Sequence, residues 1–166
     1  MLESDPRIWY GSSVWSPYLK EDILSLESIQ RFFTKRVCSR CRIPFLTNTV
    51  QFKSYSDRLY KLGIRSLQYR RLEADLIMTF KIFHKLVDLP FDDFFEIYVS
   101  PYDTRSHEYC LRVPRFTSEF HKSFFSRRII SVWNKLPANI VCSPNLQTFR
   151  DRLKAFDLHT IADLLF

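Results

Sequence analysis

Adjacent aspartates at Asp92 and Asp93 are the residues nearest in type to a nucleotidyl-transfer site. Polymerisation requires two divalent ions held by carboxylates, usually a lone Asp and an aromatic-x-Asp-Asp turn between two strands. The aromatic position here is Pro90, in Leu89-Pro90-Phe91-Asp92-Asp93-Phe94, and the flanks carry no pair of strands. Asp92 therefore reads as the cap of a short helix running through Tyr98. Cys38-x-x-Cys41 has half the spacing of a zinc site and His107-x-x-Cys110 has another half, but 65 residues separate them, far beyond finger spacing. Reduced thiols beside a turn histidine are the expectation, with no metal. His84, His121 and His159 have no neighbouring Cys or Asp to make a nucleophile pair. The only glycines are Gly11 and Gly63, too few for a phosphate-cradling loop. The expectation is a chain with no catalytic residues, no cofactor and no enzymatic activity of its own.

The remaining chemistry is cationic. Net charge is +7, and it is segregated: Arg31 to Arg71 holds eleven Lys or Arg residues against one acid, Asp57, while Leu72 to Asp103 holds two lysines and seven acids. A concentrated positive field attracts phosphates, and guanidinium forks suit phosphate oxygens. The candidate nucleic-acid-binding residues are Arg31, Lys35, Arg36, Arg40, Arg42, Lys53, Arg65, Arg70, Arg71, Arg127 and Arg128. Arg70, Arg71 and Arg105 have a second reading, as internal partners of acids such as Asp75 or Glu96. RNA or DNA is the partner implied, through contacts indifferent to base sequence and sensitive to salt.

These residues must be positioned by helices. With two glycines and Pro or Ser/Asn punctuation, tight hairpins are disfavoured and long helices favoured. Leu19 to Val37 repeats Leu19, Ile23, Leu26, Phe33 and Val37 at helical spacing, after Ser16-Pro17. Ser56 to Leu62 predicts a short helix closed by Gly63. Ser66 caps the strongest periodic segment, with Tyr69, Leu72, Leu76, Phe80, Phe83 and Val87 on one face. Tyr109 to Val113 alternates as a strand. Ser123 to Leu136 predicts another helix, with Arg127 and Arg128 outward, and Ser143-Pro144 opens a last one bearing Leu146, Phe149, Leu153 and Phe156. Trp15 and Trp133 read as core anchors rather than base-stacking platforms. The fold class expected is mostly α, a helical bundle-like domain with at most one short β ladder. It is read as a single domain over 8–157, with 1–7 and 158–166 as terminal extensions. No signal peptide or apolar run of membrane-spanning length is visible, so the expectation is an intracellular protein without membrane contact, nuclear or cytoplasmic.

Several short strings stand in a telling order. They are Tyr10 to Pro17; Leu26-Glu27 with Ile29-Gln30-Arg31; Tyr55 to Leu59 followed by Leu62-Gly63-Ile64, Ser66-Leu67 and Tyr69-Arg70-Arg71; Asp75-Leu76 with Phe80-Lys81-Ile82; Thr104-Arg105-Ser106-His107; Phe124 to Arg128; Val132-Trp133-Asn134-Lys135-Leu136-Pro137; and Phe149 with Leu153. In this order they resemble the region that follows the polymerase core in jockey-like, LINE-type non-LTR retrotransposon reverse transcriptases. Ser106 departs from the family, which usually has Gly there.

The resemblance, running from about Ile8 to Leu153, implies a thumb or post-palm region of an RNA-directed DNA polymerase, with the catalytic palm and the endonuclease lying upstream of it. A truncated element product is then expected, a helical accessory region that holds RNA or DNA. The alternative is a structural or interaction module, or a remnant with no nucleic-acid role, that self-associates through a surface exposed by loss of the palm.

Overall fold

A Ser-Pro pair followed by Glu21 and Asp22 starts the first helix, α1 (Lys20–Arg40), and Arg40 ends it. Acids in the first turn and a base in the last oppose the helix dipole favourably, and no Gly or Pro interrupts the 21 residues. The computed structural model describes residues 16–17, 19–40, 54–99, 107–114, 124–156 and 158. Within them the protein is mostly helical, as the glycine-poor sequence predicts. By contacts the chain groups into two compact units, Pro17–Arg70 and a second built from Arg71 onward, and the boundary falls in the first turn of the third helix.

In the first unit, α2 (Tyr55–Leu62) packs on α1. Ser54 caps it by accepting a hydrogen bond from the Asp57 N–H, and Gly63 closes it at φ 63°, where a residue without Cβ escapes the left-handed penalty. The predicted termination at Gly63 is therefore observed. Ser66 then caps α3 (Leu67–Phe83) through its Oγ, which accepts from the Tyr69 N–H at 3.2 Å.

The inward face of α1 differs from the expected apolar stripe. Leu19 and Phe33 are half exposed, and the buried residues are Glu27, Gln30 and Thr34, spaced i, i+3 and i+7 on one face. Ile23, Leu26 and Val37 flank that face at intermediate burial. Periodicity of apolar residues found the helix but not its rotation. Polar groups can turn inward only where partners wait for them, and here they do, as described below.

In the second unit, Leu72, Leu76 and Phe80 of α3 are buried as the periodicity predicts, while Phe83 and Val87 are at intermediate burial and Ile82, outside the predicted face, is fully buried. The helix stops at Phe83, short of Val87, because Lys85 turns left-handed at φ 52° and Leu86 N–H bonds back to the Lys81 carbonyl. Asp92 does not cap a helix through Tyr98. Phe91–Asp93 forms a single 3-10 turn that begins at Pro90 without a side-chain cap.

The expected helix over Ser123 to Leu136 is two short pieces, α4 (Phe125–Arg128) and α5 (Ile130–Trp133), joined at Ile129. After Pro137 come α6 (Ala138–Val141) and α7 (Leu146–Ala155), the latter capped by Asn145. Trp133, Phe80 and Phe149 form the centre of the core, all with no measurable exposure. Phe80 stacks on Phe149 at 4.3 Å between centroids, and Phe83 meets Tyr109 edge-on at 4.9 Å. Trp133 is thus the core anchor its sequence context predicts.

The expected strand is reduced to one antiparallel bridge, Ile97 to Leu111, flanked by bonds from Tyr98 N–H to the Cys110 carbonyl and from Arg112 N–H to the Glu96 carbonyl. Leu111 sends its own N–H and C=O the other way, to the Asn134 side-chain amide at 2.8 and 2.7 Å. An amide side chain has taken the place of a neighbouring strand, so the ladder cannot extend on that side.

Candidate nucleic-acid interface

The polar network of the first unit decides which cations the fold uses. The Glu27 carboxylate accepts from the Tyr55 hydroxyl at 2.5 Å and from the Leu67 N–H at 3.3 Å, serving one of the free donors at the start of α3. Gln30 donates to the Arg65 carbonyl at 2.9 Å and accepts from the Arg70 guanidinium. Thr34 donates to the Gln30 carbonyl. Burial, reinforced by the neighbouring Glu27 carboxylate, pushes the Tyr55 hydroxyl well above the ordinary tyrosine range, although Arg31 works against the shift. The Tyr55 ring also lies beneath two guanidinium groups, Arg31 at 5.0 Å and Arg58 at 5.7 Å.

Arg65 lies over the Tyr69 ring at 4.3 Å, Arg70 is held by Gln30, and Arg71 is buried. In the second unit Arg128 turns inward rather than outward. Its guanidinium spans both Asp75 carboxylate oxygens, at 2.9 and 3.0 Å, and Asp75 is almost wholly buried. Glu96 pairs with Arg112 at 2.6 Å on the exposed surface. Arg128, read from the sequence as an outward cation, is thus an internal partner of Asp75. Arg127 is partly exposed beside it.

Four of the candidate cations donate no side-chain hydrogen bond to this network among the described residues, although Arg31 lies over the Tyr55 ring. Arg31, Lys35, Arg36 and Arg40 occupy the second half of α1, all are exposed, and no carboxylate among the described residues pairs with them. Arg36 lies over the Phe32 ring at 5.0 Å. Arg42, Lys53 and Arg105 lie outside the described residues, as do Trp15, Cys41, His121 and His159.

The other candidate residues belong to different elements. Asp92 and Asp93 sit exposed in their 3-10 turn. His107 and Cys110 do meet, with Sγ 3.8 Å from Nδ1, while His107 Nε2 faces the Trp133 carbonyl at 3.2 Å. A ring nitrogen beside a carbonyl carries the proton, which leaves Nδ1 to accept from the thiol. Both groups are buried, and the pair fastens a turn to the core. Cys38, the other half of the spacing, belongs to α1 in the first unit. His84 rests on Phe80 at 4.1 Å, and burial holds its imidazole below the ordinary range. A depression of about 430 Å³ is lined by the single run Lys85 to Phe91, so it is the concavity of one loop and gathers no groups from elsewhere.

The buried polar network is what sequence reasoning missed. Its signal was present: a Glu, a Gln and a Thr spaced i, i+3 and i+7 on a helix cannot be told from a solvated face until their partners are known.

Comparison with known proteins gives little further constraint. No protein family profile matches the chain, and no solved structure does. An uncharacterized protein of Caenorhabditis elegans is 36% identical over 67 residues, a stretch that covers 40% of this chain and 30% of that protein. The chain therefore matches less than a third of the length of this relative.

Proposed function

We propose that this chain is the post-palm, helical region of a non-LTR retrotransposon reverse transcriptase, and that its first unit holds RNA or DNA through phosphate contacts indifferent to base sequence. One observation carries the reading. The strings behind the family resemblance satisfy one another's polar groups, and the exposed cations of α1 donate no hydrogen bond to that internal bonding.

The pairings are specific. Glu27 and Gln30 of the Leu-Glu and Gln-Arg string bond Tyr55, the Leu67 N–H, the Arg65 carbonyl and Arg70 of the next string. Asp75 bonds Arg128. His107 faces the Trp133 carbonyl. Residue types that recur together in a motif are expected to contact one another, and these do. Arg31 lies over the Tyr55 ring, while Lys35, Arg36 and Arg40 make no bond to that network, and four exposed cations without an acid form an anion-attracting strip.

In this reading the chain holds a polynucleotide and does not extend it. The test is binding of labelled RNA and DNA oligonucleotides to the purified chain across a salt series. If all four cations meet phosphates, log K falls with log salt with a slope of about −3 to −4. Absence of binding at low salt, or a flat response, would sink the reading.

A second reading has its own observation. Leu19, Leu24 and Ile29 of α1 are about half exposed, an aliphatic surface suited to a protein partner or a second copy. Light scattering separates the two, since apolar association persists or strengthens at high salt while charge-driven binding weakens.

A further inference from the structure

The two halves of α1 differ in what they expose. The first half shows aliphatic side chains, Leu19, Leu24 and Ile29, alongside the acids Glu21 and Asp22. The second half shows Phe32 at 61% and Phe33 at 52% exposure, among Arg31, Lys35, Arg36 and Arg40, and no acid. Exposed phenylalanine is costly in water, and here two consecutive rings are placed within about one turn of three cations, Arg31, Lys35 and Arg36, with Arg40 two turns on. Side chains three and four apart share a helix surface, so Phe32 neighbours Lys35 and Arg36, and Phe33 neighbours Arg36. The Arg36 guanidinium already lies over the Phe32 ring.

Such a surface distinguishes between forms of nucleic acid. In a duplex the base faces are buried against one another and only phosphates, sugars and groove edges are offered. A phosphate-binding strip for duplex has no use for apolar rings. A single strand offers both a charged backbone and open base faces, and every base has one, so stacking is tolerant of sequence. Resting on the nucleic-acid reading above, we infer that the Arg31–Arg40 half of α1 is a single-strand binding surface, in which Phe32 and Phe33 stack on unpaired bases while Arg31, Lys35, Arg36 and Arg40 hold the flanking phosphates.

The test uses the full chain and fluorescence anisotropy with three probes of equal length: labelled oligo(dT), labelled oligo(U) and a labelled dA·dT duplex. Both single strands bind about tenfold more tightly than the duplex, and Phe32→Ala or Phe33→Ala removes most of that advantage without changing duplex affinity. Phe32→Tyr retains it. Lys35→Ala weakens all three probes together, and Leu24→Ala, on the acidic half, changes none. Helical circular dichroism should be unaltered in each variant, and the melting temperature in the phenylalanine and leucine variants, since these side chains are exposed. Equal or stronger duplex binding, or unchanged single-strand binding in both phenylalanine variants, overturns the single-strand assignment while leaving the broader reading in place. Failure of every probe to bind at low salt removes both. A preference between oligo(dT) and oligo(U) identifies which polynucleotide is taken.

Discussion

Arg128 and Asp75 show how much one buried contact can decide. A bidentate pair with a nearly inaccessible carboxylate gains from geometry but has lost the hydration of both ions. Removing one member alone is therefore far worse than replacing both. Arg128→Met is expected to lower stability by about 3 kcal/mol, while Asp75→Leu combined with Arg128→Met recovers most of that loss. Urea denaturation of Arg128→Met, Asp75→Leu and the double variant measures it, and an additive double substitution would refute the account. Tyr55 provides a second residue-level case. Because its hydroxyl is held above the usual range, the neutral form is favoured by folding, and its contribution is fully present below about pH 10. That contribution is lost as pH rises through and beyond the ordinary tyrosine value. Tyr55→Phe should cost about 1–2 kcal/mol at neutral pH and show a shallower decline above about pH 10 than the parent chain, read as melting temperature against pH. Neither contact was legible from residue types alone. Arg128 follows Arg127 in a sequence that gives no sign which of them turns inward, and a carboxylate 53 positions away makes the choice.

Helices were legible where their ends carry local chemistry. Gly63 closes α2 and Ser66 opens α3 because each acts on backbone groups within a few residues, and such signals survive translation from sequence to structure. Gly63 and Lys85 share the left-handed conformation, at φ 63° and 52°, which makes opposite predictions. Gly63→Ala meets no atom within 4 Å, so its cost is the backbone penalty alone, about 1 kcal/mol. Lys85→Gly relieves the same penalty and is expected to raise stability by about 0.5–1 kcal/mol, less whatever freedom glycine adds to the unfolded chain. Thermal melts of both variants check this, and a shift of the same sign in each would contradict it. The rotation of α1 was not legible, because it is set by distant partners. Glu27 and Gln30 turn inward to serve Tyr55, Leu67, Arg65 and Arg70, and the segment facing α5 is fixed by Asn134 and Trp133 holding Leu111 and Tyr109. Alternating apolar residues announced a strand at Tyr109 to Val113, and the amide of Asn134 reduced it to one bridge.

At the scale of the whole molecule, segregation of charge remains the property that local structure does not explain. A domain needing only to fold would gain by mixing its signs, since eleven cations with one acid between Arg31 and Arg71 repel one another at low ionic strength. Part of that excess is absorbed: Arg70 bonds Gln30, Arg71 is buried and Arg65 lies over Tyr69. The remainder on α1 is retained at some cost to stability, and screening should therefore act on stability and on binding in opposite directions. Raising salt from low to physiological strength shortens the Debye length to about 8 Å, which relieves repulsion among Arg31, Lys35, Arg36 and Arg40 and should raise the melting temperature. The same change should weaken the proposed phosphate contacts. Replacing Lys35 and Arg36 by Gln should flatten both responses together, because one strip of charge causes both. If the substitutions flatten the salt dependence of stability but leave that of oligonucleotide binding intact, the polynucleotide is held elsewhere, and α1 is not the surface that holds it.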